Sequence, residues 1–221
     1  YLDELIIYNK HLLNRNALLK QVAVTRKLDL SLLEILDEQL ILSGNKIFQK
    51  RKQFLLDFIP LFNKHYSFIT DNAEYVSLNY QSQLNEHSYE ELLKQTIDRD
   101  RILERTTTGI HKDELQFAIG DMPLKKFGSQ GQQKSFLIAL KLAQYTYLQK
   151  FKEFKPLLLL DDIFDKLDDL RVRKLMEMVS HQDFGQIFIT DTGKERVLSV
   201  FNEINIEVTL FEVDNGVIKH A

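Results

Sequence analysis

The sequence predicts an α/β fold in which a lobe with a parallel sheet carries an all-helical arm. Turn-forming residues divide the chain, because seven of its eight glycines follow residue 108 and only Gly44 and Pro60 interrupt the part before it. We therefore expect a mainly helical arm subdomain over residues 1–108 and a sheet-containing lobe over residues 109–221. An apolar run at residues 157–160, followed by alternating helix and strand patterns, indicates the parallel sheet of that lobe.

Two long helices are expected in the arm. Leu5, Leu12 and Leu19 recur at steps of seven on the first helix, and a second apolar stripe crosses residues 31–62, with Asp29 at the break between the two. Together they predict an antiparallel helical hairpin. This spacing fits ordinary helix packing better than a long coiled coil, and binding of a partner by the arm stays open. The second stripe comprises Leu33, Leu36, Leu40, Ile47, Phe54, Phe58 and Leu61.

Shorter patterns place the remaining elements. Residues 75–80 alternate apolar and polar as a half-buried strand does, and Ser88 with Glu91 forms a capping box that opens a helix to about Arg105. The apolar run at residues 157–160 predicts a strand buried on both faces. Further predictions are a strand through 115–119 with a turn at 120–121, helices from near 132 to 147, over 168–181 and over 194–205, a strand over 186–190, and a closing hairpin of 208–213 with 217–218.

Composition and charge limit the class of protein. The 221 residues, 44% hydrophobic and 28% charged, suffice for one large or two small globular domains. A net charge of −3 excludes a surface that is basic throughout but allows a local basic patch. The sequence has no cysteine and no apolar run of membrane-spanning length, so we expect a soluble, cytoplasmic protein without a membrane partner.

Two segments carry candidate chemistry. Asp161 and Asp162 end the apolar run, and because unpaired buried carboxylates are unfavourable, they are expected to face a metal ion, a cation or water. The small polar segment 127–135 leads into a helix, and its backbone N–H groups and the Ser129 hydroxyl suit a phosphate oxygen. Each feature alone also fits a structural role, as a solvated loop start or as a plain helix N-cap.

The order of these features resembles the signature motif, Walker B strand and D-loop of ABC-type ATPases, and specifically the C-terminal part of such an ATPase head. Within that superfamily the chain is similar to the RecF family, with the resemblance concentrated in residues 105–195. Gly109-Ile110-His111-Lys112-Asp113-Glu114-Leu115 resembles the family segment Gly-Pro-His-Arg-Asp-Asp-Leu. The other matching segments are Phe127-Gly128-Ser129-Gln130-Gly131-Gln132-Gln133-Lys134, Ala139-Leu140-Lys141-Leu142-Ala143, residues 158–162, Leu167-Asp168, and the earlier residues 15–20.

The resemblance implies roles for individual residues. Asp161 would serve the Mg²⁺ site, Asp162 would be the catalytic carboxylate, and Asp168 would lie in a D-loop at a dimer interface. After the strand over residues 186–190, a sensor of the γ-phosphate would have to come from Thr190, Asp191 or Thr192. The signature residues, which would contact ATP held by the second subunit of a dimer, are Ser129, Gln130, Gly131 and Gln132.

The sequence departs from the family pattern at three places. Ile110 and Lys112 replace a proline and an arginine beside His111, so a structural role for this histidine is at least as good an expectation as a functional one. Asp165-Lys166 replaces Ser-Glu in the D-loop, which leaves the hydrogen bonds of that loop open. Asp191-Thr192 directly follows the strand over residues 186–190, at the place where many ABC proteins have a histidine.

No Walker A loop occurs in the sequence. Such a loop needs an upstream glycine and a hydroxyl residue after its lysine, and both are absent around Gly44-Asn45-Lys46 and Gly193-Lys194-Glu195. We therefore expect the chain to be part of a longer protein and not to hydrolyse ATP alone. The six histidines show no metal-ligand spacing, so a zinc site is not expected.

The resemblance implies an ATP-dependent homodimer that acts in DNA replication, recombinational repair and the SOS response. Such a protein binds double-stranded DNA and its junctions with single strands, and works with RecO and RecR to load recombinase at gaps. Alternatives are an SMC-type ATPase head, which the short arm disfavours, and a non-enzymatic helical interaction module with decayed ATPase motifs. Lys46, Lys50, Arg51 and Lys52 form a basic cluster that fits either DNA phosphates or, as the simpler interpretation, a solvated helix face.

Overall fold

The protein is described by a computed structural model over residues 1–152, 154–180, 184–204 and 206–220. The helices are α1 (Leu2–Thr25), α2 (Leu30–Ile69), α3 (Tyr89–Ile102), α4 (Leu124–Phe127), α5 (Gln130–Lys152), α6 (Asp169–Ser180) and α7 (Lys194–Glu203). The strands are β1 (Val76–Gln81), β2 (Glu114–Ile119), β3 (Met122–Pro123), β4 (Leu158–Asp161), β5 (Ile187–Thr190), β6 (Phe211–Asp214) and β7 (Val217–His220).

The chain forms two compact units. Unit 1 comprises Tyr1–Asp57 and Leu78–Phe117, and unit 2 comprises Phe58–Ser77 and Ala118–Ala221. Both units are discontinuous in sequence because α2, β1 and β2 each run from one unit into the other. The predicted boundary between residues 108 and 109 therefore falls inside unit 1.

Helix α2 is longer than its apolar stripe predicts, since it continues past residue 62 and contains Pro60. Pro60 removes one backbone N–H from the helix, but the residue is exposed, where water can satisfy the carbonyl group left without a partner. The predicted break before α2 is confirmed, because the Leu32 N–H donates to Asp29 Oδ1 at 3.0 Å as in a helix cap. Most of the predicted stripe is buried, although Phe54 is 39% exposed and Leu55 is buried in its place.

A buried arginine organises unit 1. Arg15 is fully buried on α1 and donates to Asp37 on α2 and, through Nη1, to Asp100 Oδ2 on α3 at 2.7 Å and Thr106 Oγ1 at 2.9 Å. Its guanidinium thus joins three helices and the segment that follows α3. Removing one partner from a buried ion pair leaves an uncompensated charge, which typically costs about 3–5 kcal/mol.

His111 has a structural environment in the same unit. Its Nδ1 lies 2.8 Å from Tyr8 Oη, its Nε2 lies 3.2 Å from the Thr106 carbonyl oxygen, and Tyr8 Oη lies 2.8 Å from Tyr89 Oη. Burial lowers the pKa of His111 more than its hydrogen bond to Thr106 raises it, which favours the neutral ring. Gly109 packs against this network with φ of 114°, and a Cβ there would lie 2.1 Å from Tyr89 Oη. Only glycine fits this position.

In unit 2, α5 packs on the last turns of α2 through aromatic side chains. The Phe136 ring is 4.6 Å from Phe62 and 5.9 Å from Tyr66, measured between ring centroids, and all three residues are buried. This contact fixes α5 against the core and so positions the residues at its N-terminus.

The parallel sheet is confirmed by the pairing of β4 with β5, but the prediction that β4 is buried on both faces is wrong. Leu158 and Leu160 are buried, whereas Leu157 is 61% and Leu159 71% exposed. The burial alternates because, within the part of the chain that the structure describes, one face of β4 is covered and the other is exposed.

The smaller predicted elements are mostly confirmed. The capping box of Ser88 with Glu91 opens α3, and β6 and β7 form the closing hairpin around Asn215-Gly216, both with positive φ. Helix α5 begins two residues earlier than the prediction near residue 132. The predicted helix ends at His181 and Asn205 lie outside the described residues. Among the described helices, none is long and apolar enough to cross a membrane.

The buried His65 makes the stability of unit 2 depend on pH. Its Nε2 lies 2.9 Å from Thr146 Oγ1, and burial, with a contribution from Lys64, lowers its pKa to about 4. Between pH 6.5 and 4 the unfolded chain therefore binds a proton that the folded chain does not. Stability should fall as pH drops through this window, by up to about 3 kcal/mol from this group.

Urea unfolding of the wild-type protein and of a His65→Gln variant across this pH range tests the effect. The wild type should lose more stability than the variant as pH falls, and His87→Gln, at an exposed histidine, should follow the wild type. Parallel pH profiles for wild type and His65→Gln would contradict the assignment to His65.

Candidate functional site

The carboxyl ends of β4 and β5 bring three predicted site residues together. The parallel register pairs Asp161 with Thr190, and the Thr190 hydroxyl donates to Asp161 Oδ1. The Asp162 N–H continues the pairing by donating to the Thr190 carbonyl oxygen at 3.1 Å. Asp162 has φ of 48°, so the chain turns sharply at this residue, and both carboxylates are exposed. This edge of the sheet can therefore receive a cation or a water molecule.

The signature segment, residues 129–133, forms the N-terminus of α5. Ser129 and Gln132 make a reciprocal cap, in which the Gln132 N–H donates to Ser129 Oγ at 3.2 Å and the Ser129 N–H donates to Gln132 Oε1 at 2.9 Å. Ser129 and Gln130 are exposed, and Gly131 and Gln132 are half-buried. The Ser129 oxygen accepts one bond here, so its hydroxyl proton can be donated outward.

The signature segment lies beside the predicted D-loop, residues 165–168. A Cβ on Gly131 would lie 3.2 Å from the Lys166 carbonyl oxygen, closer than side chains normally approach. Lys134 Nζ, one turn further along α5, donates to the Asp162 carbonyl oxygen at 3.1 Å. The first turns of α5 thus contact the segment that links β4 to α6 at Asp162 and at Lys166, and the small size of Gly131 permits this approach.

Asp168 and Asp191 make local hydrogen bonds ahead of helices. Asp168 Oδ1 caps α6 by accepting the Arg171 N–H at 2.9 Å. Asp191 Oδ1 accepts the Gly193 N–H at 2.7 Å in a turn before α7. Thr192 is exposed beside them. Of the three predicted sensor residues, Thr190 is the one that contacts an acidic residue of β4.

Two residues that were not predicted from the sequence, Glu74 and Arg171, join the signature segment to the D-loop. Glu74 Oε1 accepts from Arg171 Nη2 at 2.7 Å and from Gln132 Nε2 at 3.0 Å, and Arg171 Nε lies 3.0 Å from Asp168 Oδ2. The spacing of three residues between Asp168 and Arg171 is a helical ion-pair signal in the sequence. No local sequence pattern indicated a role for Glu74, because its partner Gln132 lies 58 residues further along the chain.

The predicted basic cluster lies in unit 1, and one of its members is held in place. Arg51 Nη1 donates to Asp113 Oδ2 at 2.9 Å, and its side chain is 26% exposed, so it fastens the segment around Asp113 to α2. Lys46 pairs with a glutamate of α1 at 2.9 Å, Lys52 lies 5.8 Å from an aromatic ring centroid, and Lys50 is exposed. Contact of these residues with DNA stays a prediction, and Arg51 has the least freedom to make one.

The residues at the sheet edge fit Mg²⁺ and a phosphate group by their chemistry. Asp161, Asp162 and Thr190 supply hard oxygen ligands, and proteins commonly hold Mg²⁺ with one or two carboxylates, the rest of its shell being water and phosphate oxygens. Within the described residues, no group of three or more His, Cys, Asp and Glu side chains converges.

Comparison with known proteins decides the family. No family model matches the chain. Curated proteins named DNA replication and repair protein RecF do match: that of Flavobacterium johnsoniae is 51% identical over 96% of the chain, that of Bacteroides thetaiotaomicron 46% over 99%, and that of Cytophaga hutchinsonii 41% over 100%. The chain belongs to the RecF family. It spans 58–59% of the length of these RecF relatives.

Solved structures agree with the RecF assignment. A structure described as the recombination mediator protein RecF-ATPrS in the RecFOR pathway superposes with a TM-score of 0.75 at 29% identity, covering 100% of this chain and 58% of that one. A structure described as RecF-ATP in the same pathway gives a TM-score of 0.75 at 24% identity and supports the fold. The predicted α/β class with a parallel sheet and helices is thereby confirmed.

The close approach of α5 to the D-loop can be tested at Gly131. Replacing it with valine should lower the free energy of unfolding by about 1–3 kcal/mol, because the added atoms overfill the space beside the Lys166 carbonyl oxygen. Gln130→Val, at the exposed neighbouring position, should change stability by about 0.5 kcal/mol or less. Urea denaturation measures both variants. Equally small changes in the free energy of unfolding at the two positions would contradict this account, because they would show that the D-loop moves to accommodate a larger side chain at no cost.

Proposed function

We propose that this chain is part of an ATP-dependent DNA-binding protein of replication and recombinational repair, in which ATP is sandwiched between two heads. Membership of the RecF family supports the reaction class. The observation that carries the proposal is the register that places Asp161, Asp162 and Thr190 at one exposed edge of the sheet. Ligands of α/β proteins characteristically bind at the carboxyl ends of parallel strands.

In this proposal Asp161 and Asp162 have different roles in ATP hydrolysis. Asp161, oriented by the Thr190 hydroxyl, would hold Mg²⁺. Mg²⁺ bound with ATP would neutralise charge on the phosphate oxygens. Asp162 would act as the catalytic carboxylate, which orients the attacking water and accepts its proton. Its exposed side chain and sharply turned backbone present the carboxylate beyond the strand end, where a water molecule can reach it.

The signature segment would serve the ATP of the opposed subunit. Ser129 can donate its hydroxyl proton to a phosphate oxygen while its oxygen accepts the Gln132 N–H. Gln130 and Gly131 would add contacts in the first turn of α5, whose N-terminal end favours anions. Asp168 would lie at the dimer interface. Because the sequence has no Walker A loop, we propose that these 221 residues alone do not hydrolyse ATP.

Control of DNA binding by ATP completes the proposal. The relatives' name, DNA replication and repair protein, and the RecFOR pathway named for the solved relative support a role in DNA repair. We propose double-stranded DNA and its junctions with single strands as ligands, RecO and RecR as partners, and recombinase loading at gaps in the cytoplasm. Lys50 and Lys52, both exposed in unit 1, are the residues of the basic cluster best placed to contact phosphates without base specificity.

An Asp162→Asn variant of the full-length protein tests the proposed chemistry. It should still form an ATP-dependent dimer, because the amide keeps the shape of the carboxylate, but its turnover should fall by about 100-fold or more. Asp121→Asn, the same change at an exposed turn between β2 and β3, should leave both properties unchanged. Light scattering measures dimerisation, and phosphate release with and without DNA measures turnover.

Two outcomes would contradict the proposal. Wild-type protein that ignores ATP in both assays would leave the fold without the function. Asp162→Asn protein that turns over at the wild-type rate would remove Asp162 from the reaction.

A further inference from the structure

A continuous path of one ion pair and three hydrogen bonds connects the D-loop to the signature serine within unit 2. It starts at Asp168, whose Oδ2 lies 3.0 Å from Arg171 Nε, and continues from Arg171 Nη2 to Glu74 Oε1 at 2.7 Å. From Glu74 it passes to Gln132 Nε2 at 3.0 Å, and the other end of the same amide accepts the Ser129 N–H at 2.9 Å. The side-chain amide of Gln132 is thus engaged at both ends, in one orientation that satisfies both partners.

Arg171 holds this path together through three different nitrogen atoms. Its Nε forms the ion pair with Asp168, its Nη2 donates to Glu74, and its Nη1 donates to Ser135 Oγ at 3.0 Å. Ser135 is fully buried on α5. The side chains of Arg171 and Glu74 are only 15% and 16% exposed, so water screens their ion pair weakly. Lysine cannot replace this arginine, because one ammonium group lacks the planar fork that reaches three partners.

Glu74 is charged in spite of its burial. Burial alone would raise the pKa of its carboxyl group, but hydrogen bonds from Tyr66 and Gln132 and the charge of Arg171 outweigh burial and hold the pKa below its usual range. Tyr66 Oη donates to Glu74 Oε2 at 2.6 Å, so both carboxylate oxygens are occupied. Glu74 thereby anchors the path to α2, which packs on α5 through Tyr66 and Phe136.

We propose that Arg171 and Glu74 are positioning residues that make the signature segment and the D-loop move as one body. This role rests on the proposed function, in which Ser129 reaches ATP of the opposed subunit and Asp168 lies at the interface of the same dimer. A displacement of the D-loop on dimer formation is passed through Arg171 and Glu74 to Ser129. Assembly of the interface and placement of the signature serine on the phosphate are therefore coupled.

The test compares three variants of the full-length protein. Arg171→Lys keeps the positive charge but removes the planar guanidinium group that reaches three partners. Glu74→Gln keeps the shape of the carboxylate but removes its charge. Arg173→Lys is the matched control, because Arg173 lies on the same helix and pairs with Glu203 at 2.7 Å, with both side chains about half exposed. Amide hydrogen exchange without nucleotide, the KM and kcat for ATP, and ATP-dependent dimerisation are measured for each.

Arg171→Lys should speed hydrogen exchange in residues 129–133 and 165–168 together, and Arg173→Lys in neither. For Arg171→Lys, kcat should fall about tenfold or more while KM for ATP stays within about twofold, because the phosphate cradle of the same subunit is untouched. Glu74→Gln should show a smaller loss of the same kind. The double variant should lose no more than Arg171→Lys alone, since both changes interrupt one path.

Faster exchange confined to residues 165–168, with the signature segment unchanged, would overturn the coupling. A rise in KM at an unchanged kcat would also overturn it, because that pattern indicates weaker binding of ATP and not a misplaced signature serine. Wild-type protein that neither dimerises nor turns over ATP would refute the proposed function and with it the catalytic consequence. The exchange data decide separately whether Arg171 joins the two segments.

Discussion

The parallel pairing of β4 with β5 is the constraint on which the candidate site depends. Because the register places Asp161 opposite Thr190, the Thr190 hydroxyl orients one carboxylate, and the sharp turn at Asp162 presents the next one beyond the strand end. The same turn directs the chain toward α5, where the Lys166 carbonyl group packs against Gly131. A shift of one residue in this register would exchange the exposed and buried faces of β4 and separate the acidic pair from its hydroxyl partner.

Each unit is also held by an arginine that joins segments distant in sequence. In unit 1, Arg15 connects Asp37 and Asp100, and in unit 2, Arg171 connects Glu74 and Asp168. A guanidinium group suits this task, because its fork of donors reaches several acceptors in fixed directions. Removing one partner from such a shielded pair is costly, because it leaves a charge without compensation.

Local patterns in the sequence predicted most elements, because capping boxes, alternation and Asn-Gly turns act over a few residues. Ser88 with Glu91 and the closing hairpin are examples, and the predicted order of signature segment, acidic strand and D-loop led to the family. Contacts between distant residues were not predictable in this way. The exposure of Leu159 depends on which elements cover the sheet, the engagement of Arg51 depends on Asp113, and the role of Glu74 depends on two residues of later helices.

The central claim, that the signature segment completes the ATP site of the opposed subunit, is tested most directly by mixing two inactive variants. Full-length Ser129→Arg and Asp162→Asn proteins are combined before ATP is added, and phosphate release is measured. If the signature acts across the dimer, half of the dimers are mixed and each holds one intact site, so about a quarter of the wild-type rate should return. A mixture as inactive as either variant alone, with both variants folded and binding ATP, would contradict the account.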